Sequence, residues 1–194
     1  MYGHDAELAR LRQDVRYLKD RSAILDRVAS HARGHDRHDV DLLRAAYTAD
    51  GTDEHGRHVN SASTYAQWAN ATHAAAAELH THNITTHTCE IDPSGDTAHC
   101  ESYVLVGLLL RLRDGAAVQL LSGRYVDRLE RDADGETWRI ALRRCTVDWS
   151  CTADASALNS RFFKEQGFLK GVRDTDDVSY DRPLRLDDTP RQRW

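Results

Sequence analysis

The hydrophobic spacing of this chain changes once, just past His80, and that change limits the folds open to it. Before it, apolar residues recur every three or four positions; after it, they alternate. Helices first and consecutive strands second define an α+β layout. The strands read as 81–91, 97–111, 116–130 and 137–149, with turn chemistry at Pro93–Asp96, Asp114–Gly115 and Asp132–Gly135. Connections this short produce an antiparallel meander.

Three helical stretches precede the strands. Leu8, Leu11, Val15 and Leu18 make a stripe over residues 5–20, which predicts a helix packing on the domain or on a neighbouring subunit. Over 21–35, Ile24, Leu25, Val28, Ala29 and Ala32 share one arc, with His31, His35 and Asp36 in it or at its edges. Gly34 loosens the end of that helix. Asp39 is placed to cap a second helix, Val40 to Ala49, with Leu42, Leu43, Ala46 and Tyr47 inward. Residues 50–60 read as a polar loop or short strand. Asn60 or Ser61 then caps a third helix running through Leu79. The expected organisation is a helical extension at 1–20, one domain at 21–150 and a polar C-terminal extension at 151–194.

Composition narrows the function classes. The 194 residues include 26 basic and 31 acidic side chains, a net charge of -5 with no basic patch, which argues against a nucleic-acid partner. The first twenty residues are too charged for a signal peptide, and the apolar run Val104 to Leu110 is too short to span a bilayer. A cytoplasmic, soluble protein is expected, with Cys89, Cys100, Cys145 and Cys151 as thiols and no C-x-x-C pair among them. Cys89 and Cys100 sit symmetrically about a turn, so they could face each other across a hairpin.

Chemistry is sought among three residues. Asp36, an aspartate on the inward side of a core helix, needs a partner; the bland reading is a cap or a salt bridge to Arg37 or Arg143. His82 opens the first strand in LHTHNITTH, where a lone histidine is usually a satisfied polar residue. A carboxylate beside it would fix its tautomer and strengthen it as a general base. Arg143, inward on the last strand, could stabilise developing negative charge, or could simply pair with Asp36 or Glu101. Eleven histidines also raise a metal reading, through H-x-x-x-H at His31 and His35 and H-x-H at His80 and His82. The H-x-x-x-H pair lacks the glutamate of the metalloprotease motif, so no metal and no cofactor is the primary expectation.

The ordered series RGHDRHD, YTADGTDEHG, HTHNITTHTCEIDPSGDTAHCESYVL and SGRYVDRLERDADGETWRIALRRCTVDW resembles the SnoaL-like branch of the nuclear transport factor 2 superfamily over residues 20–150. The resemblance implies a cone-shaped α+β barrel, a curved and mostly antiparallel sheet wrapped around N-terminal helices, with an internal pocket. It also implies a histidine–aspartate pair, which falls on His82 and Asp36, and an arginine five residues after the strand tryptophan Trp138, which is Arg143. Those relatives carry lysine or tyrosine where this chain has His31, and frequently asparagine where it has Thr86.

Together these readings give a cofactor-independent lyase, dehydratase-like, or isomerase, working as a dimer or trimer on a hydrophobic cyclic small molecule. His82, oriented by Asp36, takes the proton; Arg143 and His31 assist the leaving group; Tyr47, Tyr103 and Trp149 line the pocket. The alternatives are a binding module, an assembly subunit like the small subunit of a ring-hydroxylating oxygenase, and a metalloenzyme using His31, His35, His80 or His82.

Overall fold

The computed structural model describes residues 2–110, 112, 115–186 and 191–194. Met1, in the expected helical extension, and Asp114, in an expected turn, lie outside the described residues.

The two N-terminal helical stretches are one helix, α1 (Tyr2–Asp36). Asp5 in its first turn and Arg33 in its last turn complement the helix dipole. Leu8, Leu11, Val15 and Leu18 are exposed, so this half of α1 projects beyond the core. Burial begins at Asp20 and continues through Ile24, Val28, His31, Ala32 and His35. Leu25 and Ala29, expected inward, stand on the solvent side, because the buried stripe is narrower than the apolar arc. Gly34 is needed for close packing: a Cβ there would lie 3.0 Å from Leu43 Cγ.

Asp39 caps α2 (Val40–Ala45) as expected, accepting from Leu42 N at 3.0 Å. The helix stops four residues short of the expected end. The Ala46 carbonyl instead accepts from Ile140 N at 2.8 Å, drawing the chain onto the sheet. Tyr47 therefore opens strand β1 (Tyr47–His55), which forms a hairpin with β2 (His58–Ser61) where a polar loop or short strand was expected. Helix α3 (Ala62–Ala76) starts after Ser61, whose side chain makes no cap hydrogen bond. It ends three residues early, since Ala77 already pairs with Leu110 in the sheet.

The meander is β3 (Ala77–Ile91), β4 (Thr97–Leu110), β5 (Ala117–Arg131) and β6 (Trp138–Asp154), antiparallel throughout. Strand β1 joins β6 in parallel, so the six-stranded sheet is mixed and open, in the order β2-β1-β6-β5-β4-β3. The helices lie across it, and the main core gathers Ile24, Leu43, Tyr65, Leu129, Trp138 and Ile140. Asp20 ties α1 to the sheet, accepting from Arg131 at 2.7 and 3.0 Å and from Trp138 Nε1 at 3.1 Å. No helix among the described residues is long and apolar enough to cross a membrane.

Two irregularities in β6 shape the interior. Leu129 pairs with Ile140 and Arg128 with Leu142, which leaves Ala141 as an extra residue. That bulge reverses the alternation. Trp138, Ile140 and Arg143 are all buried as a result, although simple alternation puts Arg143 on the opposite face from the first two. A second bulge skips Asp148, and there a Cβ on Gly123 would stand 1.9 Å from the Thr146 carbonyl oxygen. Gly123→Ala must push β5 and β6 apart. It is expected to lower the unfolding free energy by about 1–3 kcal/mol in denaturant titration; an unchanged midpoint would contradict that close approach.

Candidate functional site

Asp36 is the last residue of α1 and His82 the sixth of β3. The Asp36 carboxylate accepts from His82 Nδ1 at 2.8 Å, and its two oxygens accept from the His82 backbone N at 3.0 and 3.1 Å. Neither side chain is open to bulk solvent, with 5% of His82 and 16% of Asp36 exposed. An ionised carboxylate only accepts, so it fixes the imidazole proton on Nδ1 and leaves the Nε2 lone pair free. The salt bridges from Asp36 to Arg37 or Arg143 that the bland reading allowed do not form; on Asp36, Arg37 reaches the backbone carbonyl, at 3.2 Å, and not the carboxylate.

Arg143 and His31 meet in a second, deeper network. Both are fully buried. Asp127 holds Arg143 in a fork, at 2.7 Å to Nε and 2.6 Å to Nη2, so neither Asp36 nor Glu101 is its partner. Burial works against the guanidinium charge, and the Asp127 carboxylate outweighs it, holding the Arg143 pKa well above its ordinary value. Arg143 Nη1 donates to His31 Nδ1 at 2.8 Å. Since Arg143 can only donate, the His31 proton sits on Nε2 and points at the Tyr47 hydroxyl, 3.0 Å away. Tyr47 in turn donates to Asp53 Oδ2 at 2.8 Å. Burial, then the charge of Arg143, pushes His31 well below the usual histidine range, and burial raises Tyr47 well above the usual phenol range. Both are neutral at physiological pH.

His35 links the two groups. Its ring lies 4.7 Å from His31 and 4.8 Å from His82, centroid to centroid. Its Nε2 meets the Tyr65 hydroxyl at 2.9 Å, and its Nδ1 is buried without a partner. His73, on α3, and His80 add two more rings, stacked on each other at 4.2 Å. Burial first, then neighbouring imidazoles, lowers His73 to about 2 and His80 to about 3. The interior thus holds a row of neutral imidazoles between two carboxylate-anchored ends.

A cleft of 420 Å³ opens beside the dyad, lined by Ala29, Ala32, Ile84 and Asn83 with Arg33, Arg37, Asp36 and His82. The C-terminal segment, expected as an irregular tail, straps the end of α1 next to it. Buried Asp177 pairs with Arg37 at 3.2 Å, and Arg33 donates to Ser179 at 3.1 Å under the Tyr180 ring. Tyr180 also donates to Asp39 at 2.9 Å. The tail therefore fixes both cleft arginines. A larger groove of 670 Å³ runs along the projecting half of α1 and shares no residue with this cleft.

Three side chains were expected to line the pocket. Tyr47 is interior but comes from β1 and is engaged in the buried network. Tyr103 and Trp149 are 40% and 51% exposed and do not line the cleft. Tyr103 alternates with buried Val104, which turns it to the outer face under the Arg124 guanidinium. Cys89 and Cys100 do face each other across β3 and β4, and all four cysteines are free thiols. Sequence reasoning missed Asp53, Tyr65, His73 and Asp127. Asp127 carries a readable signal, since it alternates with Tyr125 and Leu129 on one strand face.

The chain belongs to the SnoaL-like domain family, whose sequence profile matches residues 16–144. Its fold is the cone-shaped α+β fold of the nuclear transport factor 2 superfamily. Among solved structures it is similar to the Kfla4162 protein of Kribbella flavida, at 25% identity over 68% of this chain and 93% of that one, TM-score 0.60. A type 2 hexachlorocyclohexane dehydrochlorinase, LinA, matches at 20% identity over 73% and 94%, TM-score 0.64. A scytalone dehydratase-like protein of Novosphingobium aromaticivorans matches at 14% over 71% and 90%, TM-score 0.61. The latter two likenesses show the shared fold. No curated protein matches by sequence.

Breaking a buried ion pair leaves one charge uncompensated. Asp127→Leu is therefore expected to cost about 3–5 kcal/mol of stability by denaturant titration. Adding Arg143→Met should recover part of that loss; no recovery would mean that the pair acts through something other than charge.

Proposed function

We propose that this chain is a cofactor-independent lyase that abstracts a proton from a hydrophobic cyclic small molecule and expels a leaving group, water in the first instance. The observation that carries the reading is the Asp36 carboxylate, which holds His82 by both side chain and backbone and leaves Nε2 free beside a cleft. His82 Nε2 takes the proton from an acidified carbon. The C–H electron pair becomes the new double bond, and the leaving group departs with its own bonding pair; a departing hydroxyl receives the abstracted proton back from His82 Nε2 and leaves as water. An isomerase uses the same base and returns the proton to a different carbon.

The structure changes the supporting cast. His31 and Arg143 are buried and mutually bonded, so they act as positioning residues behind the dyad instead of touching a leaving group. The cations lining the cleft are Arg33 and Arg37, and charge on the departing group falls to them. The exposed stripe Leu8, Leu11, Val15 and Leu18 supports a homo-oligomeric working form.

A second reading, a binding module without turnover, is favoured by the interior that His31, Tyr47, Tyr65 and Arg143 fill. Cyclic β-hydroxy ketones incubated with the protein and followed by mass spectrometry separate the two. The lyase reading predicts loss of water, with His82→Gln and Asp36→Asn each reducing kcat by about 10²–10⁴-fold. Ligands that bind and return unchanged, with no response to either substitution, would leave the binding module.

A further inference from the structure

We propose that His35, His73 and His82 form a binding site for one divalent transition-metal ion of the zinc class. These side chains come from α1, α3 and β3, and sequence spacing does not group them. One ring nitrogen of each lies within 4.8 Å of the other two. The ring centroids stand 4.8, 5.3 and 5.4 Å apart. A tetrahedral ion with metal–nitrogen distances of about 2.0–2.1 Å places its imidazole centroids about 5 Å apart, so the rings already have the needed spacing.

The nitrogens are also in the right state. His35 Nδ1 and His73 Nδ1 are buried with no hydrogen-bond partner, an arrangement that costs free energy unless something occupies it. His35 is only 2% exposed. Its other nitrogen meets the Tyr65 hydroxyl, and a proton held there leaves the Nδ1 lone pair free. His82 has the same arrangement in reverse, with Nδ1 held by Asp36 and Nε2 free. An imidazole whose far nitrogen donates to a carboxylate or hydroxyl is the usual outer support of a bound metal. His80, stacked on His73 at 4.2 Å and bonded to the His35 carbonyl at 2.8 Å, packs the rings against each other. Of the three rings, His82 borders the cleft and His35 and His73 lie behind it.

Metal binding here needs the imidazoles alone, whether or not the dyad abstracts protons. A bound ion would take the His82 Nε2 lone pair, so metal occupancy and turnover would exclude each other. A second cluster, His87 with Cys89 and Cys100, also has ligand atoms within 4.8 Å of one another, and its thiolates give it a different spectrum.

The test is titration of the metal-free full chain with Co²⁺, read by visible absorption and without substrate. The expected result is one ion per chain, with d–d bands of a nitrogen site and no sulfur-to-cobalt charge-transfer band. His73→Ala and His73→Gln, both checked for folding by circular dichroism, should each weaken binding by about 100-fold or more. His99→Ala, at an exposed position on β4, should leave it unchanged. Absence of binding, binding indifferent to both His73 variants, or a charge-transfer band reporting the cysteine cluster would each overturn the assignment.

Discussion

The rest of the site depends on where one carboxylate sits. Asp36 ends a 35-residue helix, at the negative pole of its dipole, where an anion is least welcome. It is held there by donors from a single residue, the side chain and the backbone N of His82. That contact joins the end of α1 to the start of the sheet. It orients one imidazole and, with Gly34 allowing α2 to close in, sets the last two turns of α1 against the strands. His31 and His35 then face inward, and the interior becomes a polar column flanked by aromatic rings.

In a polar interior of this kind every unpaired group costs free energy, so bonding tends toward completeness. One end largely meets that demand, leaving Asp53 Oδ1 without a hydrogen-bond partner. Arg143, Asp127, His31, Tyr47 and Asp53 form a chain in which each donor's direction follows from the guanidinium. The other end does not, since His35, His73 and His80 each keep a buried nitrogen unpartnered. Most of the unpaired hydrogen-bonding capacity of this interior is concentrated among the histidines packed against His82. Proton abstraction and metal binding both draw on that capacity, and both converge on His82.

Much of this was legible in the sequence, for physical reasons. The shift from a 3.6 to a 2 period gave the α+β order, and the inward place of Asp36 demanded a partner that His82 supplies. Three things were hidden. Alternation alone cannot show the bulge at Ala141, which brings Arg143 to the same side as Trp138 and Ile140. Propensity extended α2 and α3 too far, because sheet pairing at Ala46 and Ala77 overrides the helical preference of alanine runs. Tyr103 and Trp149 were assigned by residue type, and their exposure follows from strand parity and from the reach of β6 beyond the helices. His73 was missed because it lies on a different element from its neighbours, and only packing brings it to them.

The claim that everything else leans on is the state of one ring. Long-range proton–nitrogen correlation spectra of uniformly ¹⁵N-labelled protein at neutral pH report the His82 tautomer directly. The account predicts a His82 proton on Nδ1 held by Asp36, a strongly deshielded Nδ1 proton, and loss of that signal in Asp36→Asn. A proton resting on Nε2, or a spectrum that does not change in Asp36→Asn, would contradict it.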